Sequence, residues 1–266
     1  KVAVYMLYRL YVQLFDLEQR WNVLIIVIMI ISMMIGAFGG LAENSIRRVL
    51  GYQMLNGMPF ILVMLAFTSD DPRRALAAGI MYTIHHMLTV GSLILASGAI
   101  EETYGTGLLS KLSGLARRDP IIAWIFAAGA FSVVGFPPFS GMWGKLMIVF
   151  EIARVGGAWA WIAIAAIIIA SFAAFLAMLR VWRKVFWGKG LPEDKVPDEL
   201  VIRKKLMAPS AALILGSLCM FIFSGIVLDV VDSAAEQLLD TTAYTETVLG
   251  DEPIAVPNTD EIQEGR

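Results

Sequence analysis

Long apolar runs separated by short polar loops make up most of this chain. Each full run approaches or exceeds the roughly 20 apolar residues that a helix needs to cross a hydrocarbon core. One partial and six full runs can be drawn: residues 2–15 (partial), 21–39, 50–68, 75–100, 121–152, 158–182 and 206–228. This pattern predicts an all-α protein, a polytopic bundle of transmembrane helices.

The run at 121–152 is too long for one straight crossing, and Pro137 and Pro138 lie inside it. Proline lacks the amide hydrogen that a helix needs, so the run predicts a discontinuous helix. Backbone groups freed by such a break are tolerated at membrane depth where they are buried in protein or line a cavity. Lys145 follows the break by about two turns. An ionisable group here usually faces a bundle interior or an ion path, although a lysine near a helix end can also snorkel to the headgroups.

The run at 75–100 carries a polar stripe. Tyr82, His85, His86, Thr89 and Ser92 are spaced mainly by three and four residues, which places them on one face of a helix. A neutral imidazole can accept a proton at one nitrogen and donate at the other, so the stripe predicts a proton relay. The alternative is a pair of histidines that only make helix contacts. The two neighbours cannot both point along the stripe.

The run at 50–68 contributes two amides, Gln53 and Asn56, about one turn apart. Buried amides either support a polar path or act as interhelical contacts worth about 1 kcal/mol. Both interpretations stay open at this point.

Composition excludes several classes of function. The 266 residues are 58% hydrophobic, with a net charge of −2, one cysteine and two adjacent histidines. There is no intrachain disulfide, no zinc-ligand spacing, no phosphate loop and no catalytic triad in the sequence. We therefore expect no enzymatic reaction, no cofactor, no metal site and no nucleic-acid partner.

The loop charges predict an orientation. Lysines and arginines collect on one set of alternate loops, 12 against 5, and the positive-inside rule makes that set cytoplasmic. The first set is Arg47, Arg48, Lys111, Arg117, Arg118, Arg183, Lys184, Lys189, Lys195, Arg203, Lys204 and Lys205; the second is Arg20, Arg73, Arg74, Arg154 and Arg266. Residues 1–228 are expected to form the membrane domain and 229–266 an acidic extracellular tail, beginning with an amphipathic stub.

Several motifs resemble one known family, the antiporter-like membrane subunits shared by Mrp-type Na⁺/H⁺ antiporters, respiratory complex I and membrane-bound hydrogenases. The run from Pro137 to Lys145, Pro-Pro-Phe-Ser-Gly-Met-Trp-Gly-Lys, is similar to the family's discontinuous helix with its buried lysine. Ser45–Tyr52 resembles the loop that enters the family's tenth helix, and Ile84–Leu88 resembles its eleventh helix, which supplies relay histidines. Lys145 with the His-His pair and the Gly-Ala-Ile-Glu-Glu-Thr-Tyr-Gly-Thr-Gly run resembles its Mrp D-type branch most.

The resemblance implies that this chain is the C-terminal half of a fourteen-helix subunit, and Lys1 then matches a lysine that connects the two halves. It implies a proton-translocating subunit of a multisubunit cation/proton antiporter in a prokaryotic plasma membrane. The transported ions would be H⁺ and Na⁺, and the partners would be other membrane subunits and the lipid bilayer. Lys145, Lys1, His85 and His86 would carry the proton.

The sequence differs from the family pattern at two places, and two alternative functions remain. Many family members have a lysine where Val90 stands, and Gln53 and Asn56 replace serine or histidine. One rival is a proton-pumping membrane subunit of NADH:quinone oxidoreductase or of a membrane-bound hydrogenase. The other is a scaffold that only holds neighbouring subunits.

Overall fold

The computed structural model describes residues 1–15, 17–189, 200–242 and 246. Helices account for almost all regular structure within these ranges, which confirms the all-α prediction. They are α1 (Val2–Gln13), α2 (Asn22–Ala42), α3 (Ile46–Leu62), α4 (Pro72–Tyr104), α5 (Leu115–Arg118), α6 (Pro120–Val134), α7 (Gly141–Val155), α8 (Gly157–Val181), α9 (Lys204–Ile222) and α10 (Ser224–Leu239).

Five of the described helices are long and apolar enough to cross a membrane, and they coincide with α2, α3, α4, α8 and α9. Two of them continue beyond their α-helical part, α3 as a 3₁₀ turn over Val63–Ala66 and α8 as a π-helical turn over Trp182–Phe186. The remaining full run, residues 121–152, is divided between α6 and α7, as its prolines predict. The outer faces of α2 and α8 expose large apolar side chains, Ile31 and Phe172 among them. Such faces suit lipid or a neighbouring membrane subunit.

Helix α4 lies at the centre of the bundle and packs against α3, α6, α7, α9 and α10. Its start and end follow from sequence. The Asp71 side chain accepts a hydrogen bond from the Arg74 amide at 3.1 Å, and Pro72 occupies the first turn, where no amide hydrogen is needed. Gly105, with φ of 69°, ends the helix in the left-handed conformation. This central position brings the polar stripe of α4 into contact with most of the other helices.

The break between α6 and α7 spans residues 135–140. Gly135 adopts φ of 100°, which a residue with a side chain rarely adopts, and its amide bonds back to the Phe131 carbonyl at 3.0 Å. On the other side of the break, the Ser140 amide bonds to the Ser217 carbonyl of α9 at 3.2 Å. These two amides at the ends of the break are therefore satisfied inside the protein.

The loops that carry the larger basic set meet at one end of the bundle. Leu109 donates its amide to the Asn44 carbonyl at 3.0 Å, and Gly114 donates to the Trp187 carbonyl at 3.2 Å. Buried Asp119 accepts from the Ile202 amide at 3.0 Å and from the hydroxyl of Tyr104. These contacts place the loops after α2, α4 and α8 together, as the alternation of the charges requires.

The predicted seventh span ends earlier than expected, because α9 stops at Ile222 and a separate helix, α10, follows. The proposed domain boundary after residue 228 falls inside α10. This helix buries Val231, Ala235 and Leu238 and packs against α4 and α1. Arg73 of α4 pairs with its Asp232, and with Glu236 at 3.3 Å. Most of the remaining predicted tail lies outside the described residues.

Candidate proton-transfer site

The two adjacent histidines of α4 point to different neighbours. His85 faces α6, the helix break and α9, because its Nδ1 lies 2.9 Å from the Ser140 hydroxyl. His86 faces α3, with its Nε2 3.4 Å from the Gln53 carbonyl. Both rings are buried, with exposures of 1% and 4%. The expectation that only one histidine follows the stripe is thus confirmed for His85.

Around His85 five side chains form a closed ring of hydrogen bonds, which we call the hydroxyl ring. Thr89 lies 3.3 Å from His85 Nδ1 and 2.8 Å from the Ser132 hydroxyl. The Ser217 hydroxyl lies 2.9 Å from that of Ser132 and 2.7 Å from that of Ser140. The His85–Ser140 contact closes the ring. It joins α4, α6, the helix break and α9.

Small residues let these groups approach one another. A Cβ atom on Gly141 would lie 1.9 Å from the Ser132 carbonyl oxygen and 2.9 Å from the His85 ring. The first of these contacts is to backbone, so a side chain here would displace the start of α7. Gly141 is therefore required for the close packing of the break against α6.

One turn further along α4, Ser92 pairs with Ser210 of α9. Their hydroxyls lie 3.0 Å apart, and each also bonds to the other's carbonyl, at 2.8 and 2.7 Å. Both are fully buried. The stripe therefore continues as a second polar contact between α4 and α9.

His86 lies in a pocket of α3 that Gly57 makes possible, since a Cβ atom on Gly57 would come within 1.9 Å of His86 Nε2. The Nζ atom of Lys1 lies 3.5 Å from the sulfur of Met58, the next residue of the same helix. Lys1 and His86 therefore contact neighbouring positions of α3.

Gln53 and Asn56 are buried, with exposures of 1% and 5%. Both amide atoms of Gln53 and the Oδ1 atom of Asn56 have no hydrogen-bond partner within residues 1–189 and 200–242. Buried amides without protein partners are the kind of group that ordered water satisfies in proteins. The part of Gln53 and Asn56 in a polar path stays a prediction.

Lys145 belongs to α7, and its side chain reaches back to the C-terminal end of α6. Its Nζ donates to the Val134 carbonyl at 2.8 Å and to the Ser171 hydroxyl of α8 at 3.0 Å. The ring of Phe60 lies 5.4 Å from the same nitrogen. Carbonyls at a helix C-terminus lack helical partners and favour positive charge, so this position stabilises a buried amine.

An aromatic pair connects the lysine side of the site with the histidines. Phe60 stacks on Tyr82 with centroids 5.2 Å apart, and the Tyr82 ring meets His85 edge-on, also at 5.2 Å. Lys145 shares no direct hydrogen bond with either histidine, all three being within the described part of the chain. A proton passing between them would need water or side-chain movement.

The serines that complete the site were not predicted from the sequence: Ser132, Ser140, Ser171, Ser210 and Ser217. The only available signal was the seven-residue spacing of Ser210 and Ser217, which puts both on one face of α9. No cluster of three or more His, Cys, Asp or Glu side chains suited to a metal ion occurs in the described part of the chain.

The chain is similar to several known proteins. The model of one family, NADH:quinone oxidoreductase/Mrp antiporter, transmembrane, matches residues 1–175. The chain is 31% identical over 251 residues to the D component of the Na⁺/H⁺ antiporter of Bacillus subtilis, covering 94% of this chain and 49% of that protein. It is 26% identical to the N component of the NADH-quinone oxidoreductase of Cupriavidus taiwanensis, over 81% of this chain and 45% of that protein.

The chain is also similar to a chain of a solved structure. The Mrp complex from Dietzia sp. contains a chain that matches with a TM-score of 0.86 and 31% identity, over 94% of this chain and 53% of that one. The present chain thus spans about half the length of the relatives it matches. From the family match, the broken helix and the buried lysine and histidines, the chain belongs to the NADH:quinone oxidoreductase/Mrp antiporter transmembrane family.

Proposed function

We propose that this chain is part of a proton-translocating membrane subunit of a multisubunit Na⁺/H⁺ antiporter. One observation carries the proposal: Lys145 lies partly buried beside a helix break, held by the Val134 carbonyl and the Ser171 hydroxyl, in the same bundle as a buried histidine pair. The likeness to the Na⁺/H⁺ antiporter component of Bacillus subtilis and to the Mrp complex of Dietzia supports sodium as the exchanged ion.

The arrangement suits proton transfer. Lys145 can donate to both partners as an amine or as an ammonium, so it keeps its position when it gains or loses a proton. His85 and His86 contact different neighbours of α4, where the hydroxyl ring and the Gln53 and Asn56 region offer two polar environments. Lys1, which contacts α3, would connect this half to the rest of the subunit.

The same relatives support the membrane location and the partners, and the loop charges support the orientation. We infer a multi-pass location in the plasma membrane of a prokaryote, with the basic loop end in the cytoplasm and the C-terminus outside. The partners would be other membrane subunits of a hetero-oligomeric complex, in contact with the lipid bilayer. In this role the chain moves ions and catalyses no chemical reaction of its own.

The test is exchange activity in everted vesicles that contain the complete complex, in a host without other sodium antiporters. A pH gradient is established and Na⁺ is added to the parent, to Lys145→Ala and to Lys111→Ala. Lys111 is an exposed lysine at the basic loop end and serves as the matched control. Purification of each complex confirms that assembly is equal.

We expect Na⁺ to collapse the gradient in the parent and in Lys111→Ala, but not in Lys145→Ala. Full exchange in Lys145→Ala would remove the lysine from the mechanism. Loss of assembly in that variant would favour the scaffold role instead.

The likeness to the NADH-quinone oxidoreductase component keeps a redox-driven pump as the second candidate. In that case Na⁺ would leave the parent gradient intact. An electron donor such as NADH would then drive an acidification that Lys145→Ala loses.

A further inference from the structure

The protonation of His85 Nδ1 decides whether the hydroxyl ring has enough hydrogens for all its contacts. It has five contacts: His85–Ser140, Ser140–Ser217, Ser217–Ser132, Ser132–Thr89 and Thr89–His85. Each contact needs a hydrogen between its two heavy atoms. Each of the four hydroxyls supplies one hydrogen and can also accept.

If Nδ1 of His85 is bare, four hydrogens must serve five contacts, and one buried contact is left without a hydrogen. If Nδ1 carries a hydrogen, it can donate to Ser140 and Thr89 together, and the hydroxyls of Ser140, Ser217 and Ser132 serve the three remaining contacts. The fourth hydroxyl, that of Thr89, can then donate to a backbone carbonyl of the preceding turn of α4, as helical threonines do. A buried polar contact without its hydrogen costs free energy, so the count favours the second state.

We propose that the hydroxyl ring holds His85 as the Nδ1–H tautomer, which leaves Nε2 as the nitrogen that takes up and releases the proton. Which ring nitrogen is protonated is generally set by the hydrogen bonds of the other. Protonation at Nε2 then leaves all five contacts of the ring unchanged. The neutral and the charged imidazole are held in one orientation, and little reorganisation accompanies each transfer.

Ser217 is the positioning residue of this arrangement. Its hydroxyl makes two of the five contacts, and its carbonyl accepts the Ser140 amide at 3.2 Å. Ser140 lies five residues before Lys145, at the start of α7. Ser217 therefore ties the tautomer of His85 to the segment that carries Lys145. The tautomer assignment stands on the ring alone, whereas its importance for ion exchange rests on the proposed function.

Val90 stands where many family members have a lysine. Val90 makes none of the ring contacts, while Thr89 and Ser217 supply polar partners of the ring from two helices. Ser92 and Ser210 add a second polar pair between α4 and α9, one turn further along α4.

The first measurement is ¹⁵N nuclear magnetic resonance of the intact complex labelled at histidine nitrogens. The His85 signals are identified by their loss in His85→Gln. We expect a protonated Nδ1 and a bare Nε2 in the parent at high pH. In Ser217→Ala the other tautomer should appear, whereas Ser217→Thr, which keeps the hydroxyl, should restore the parent spectrum.

The second measurement is sodium-driven exchange of the same variants in everted vesicles. We expect Ser217→Ala to lower the exchange rate about tenfold, the scale of one buried hydrogen bond, and Ser217→Thr to recover most of it. Ser97→Ala is the control, because Ser97 is a buried serine of α4 outside the ring. Its rate and its spectrum should match the parent.

A bare Nδ1 in the parent would overturn the assignment, as would a Ser217→Ala variant with unchanged tautomer and unchanged exchange. A failure of the proposed function would give a different result. In that case His85→Gln would exchange sodium at the parent rate, while the parent spectrum would still show the Nδ1–H tautomer.

Discussion

The Nζ atom of Lys145 donates to the carbonyl of Val134 at 2.8 Å, across the break that separates α6 from α7. Val134 is the last residue of α6, so the lysine satisfies a carbonyl that the helix itself leaves free. The same break that creates room for the amine thus supplies its partner. A continuous helix would offer neither.

Ser171 is the second partner of Lys145, and its replacement tests how tightly the amine must be held. We expect Ser171→Ala to lower the sodium exchange rate by threefold to about tenfold, since one hydrogen bond contributes roughly 0.5–1.5 kcal/mol. The Val134 carbonyl remains, so activity should persist. The measurement is the initial rate of gradient collapse in everted vesicles, at equal amounts of complex.

Ser171→Thr keeps the hydroxyl at this position and should stay close to the parent rate. An alanine variant as active as the parent would show that the Val134 carbonyl alone holds the lysine.

The pocket of His86 on α3 can be closed by a single methyl group. We expect Gly57→Ala to reduce exchange, because its Cβ would lie 1.9 Å from His86 Nε2 and the ring must move away from the Gln53 carbonyl. The ring sits at the end of a side chain that can rotate, so the complex should still assemble. Exchange rate and complex yield are measured together.

Gly51→Ala is the matched control on the same helix, since its Cβ would meet no heavy atom within 4 Å in the described part of the chain. Alanine is the better helix former by about 1 kcal/mol. Gly51→Ala should therefore retain its exchange rate and lose no thermal stability. Equal losses in both variants would contradict the specific role of the His86 pocket.

The orientation of the bundle can be measured with a membrane-impermeant thiol reagent. The native thiol is first removed by Cys219→Ser. Ser110→Cys then reports on the basic loop end, and Ser69→Cys on the opposite end; both residues are exposed. We expect rapid labelling of Ser110→Cys in everted vesicles and of Ser69→Cys in intact cells, because basic loops stay in the cytoplasm.

Labelling of Ser110→Cys from outside intact cells would reverse the assigned orientation and place the C-terminus in the cytoplasm. Labelling of both positions from one side would contradict the helix count between them, since α4 separates the two loops.

Local features of the sequence predicted much of the fold. Membrane-length apolar runs predict helices because every backbone group in a hydrocarbon core must bond within its own segment. Pro137 and Pro138 predicted the break because proline has no amide hydrogen to bond within the helix. The predicted end of the last membrane span was wrong by several residues. Helix α9 stops at Ile222, and the apolar residues that follow belong to a separate helix, α10, which packs on α4 and α1.

By itself, the sequence determined the helices, the broken span and the presence of Lys145, His85 and His86 at membrane depth, because charge and polarity there are rare enough to be seen without neighbours. Only the tertiary structure decided which groups they meet. A serine in an apolar run carries almost no signal, and Ser132, Ser140 and Ser217 become a single ring only when α4, α6 and α9 converge. Hydrogen bonds between distant segments depend on that packing, which local pattern does not encode.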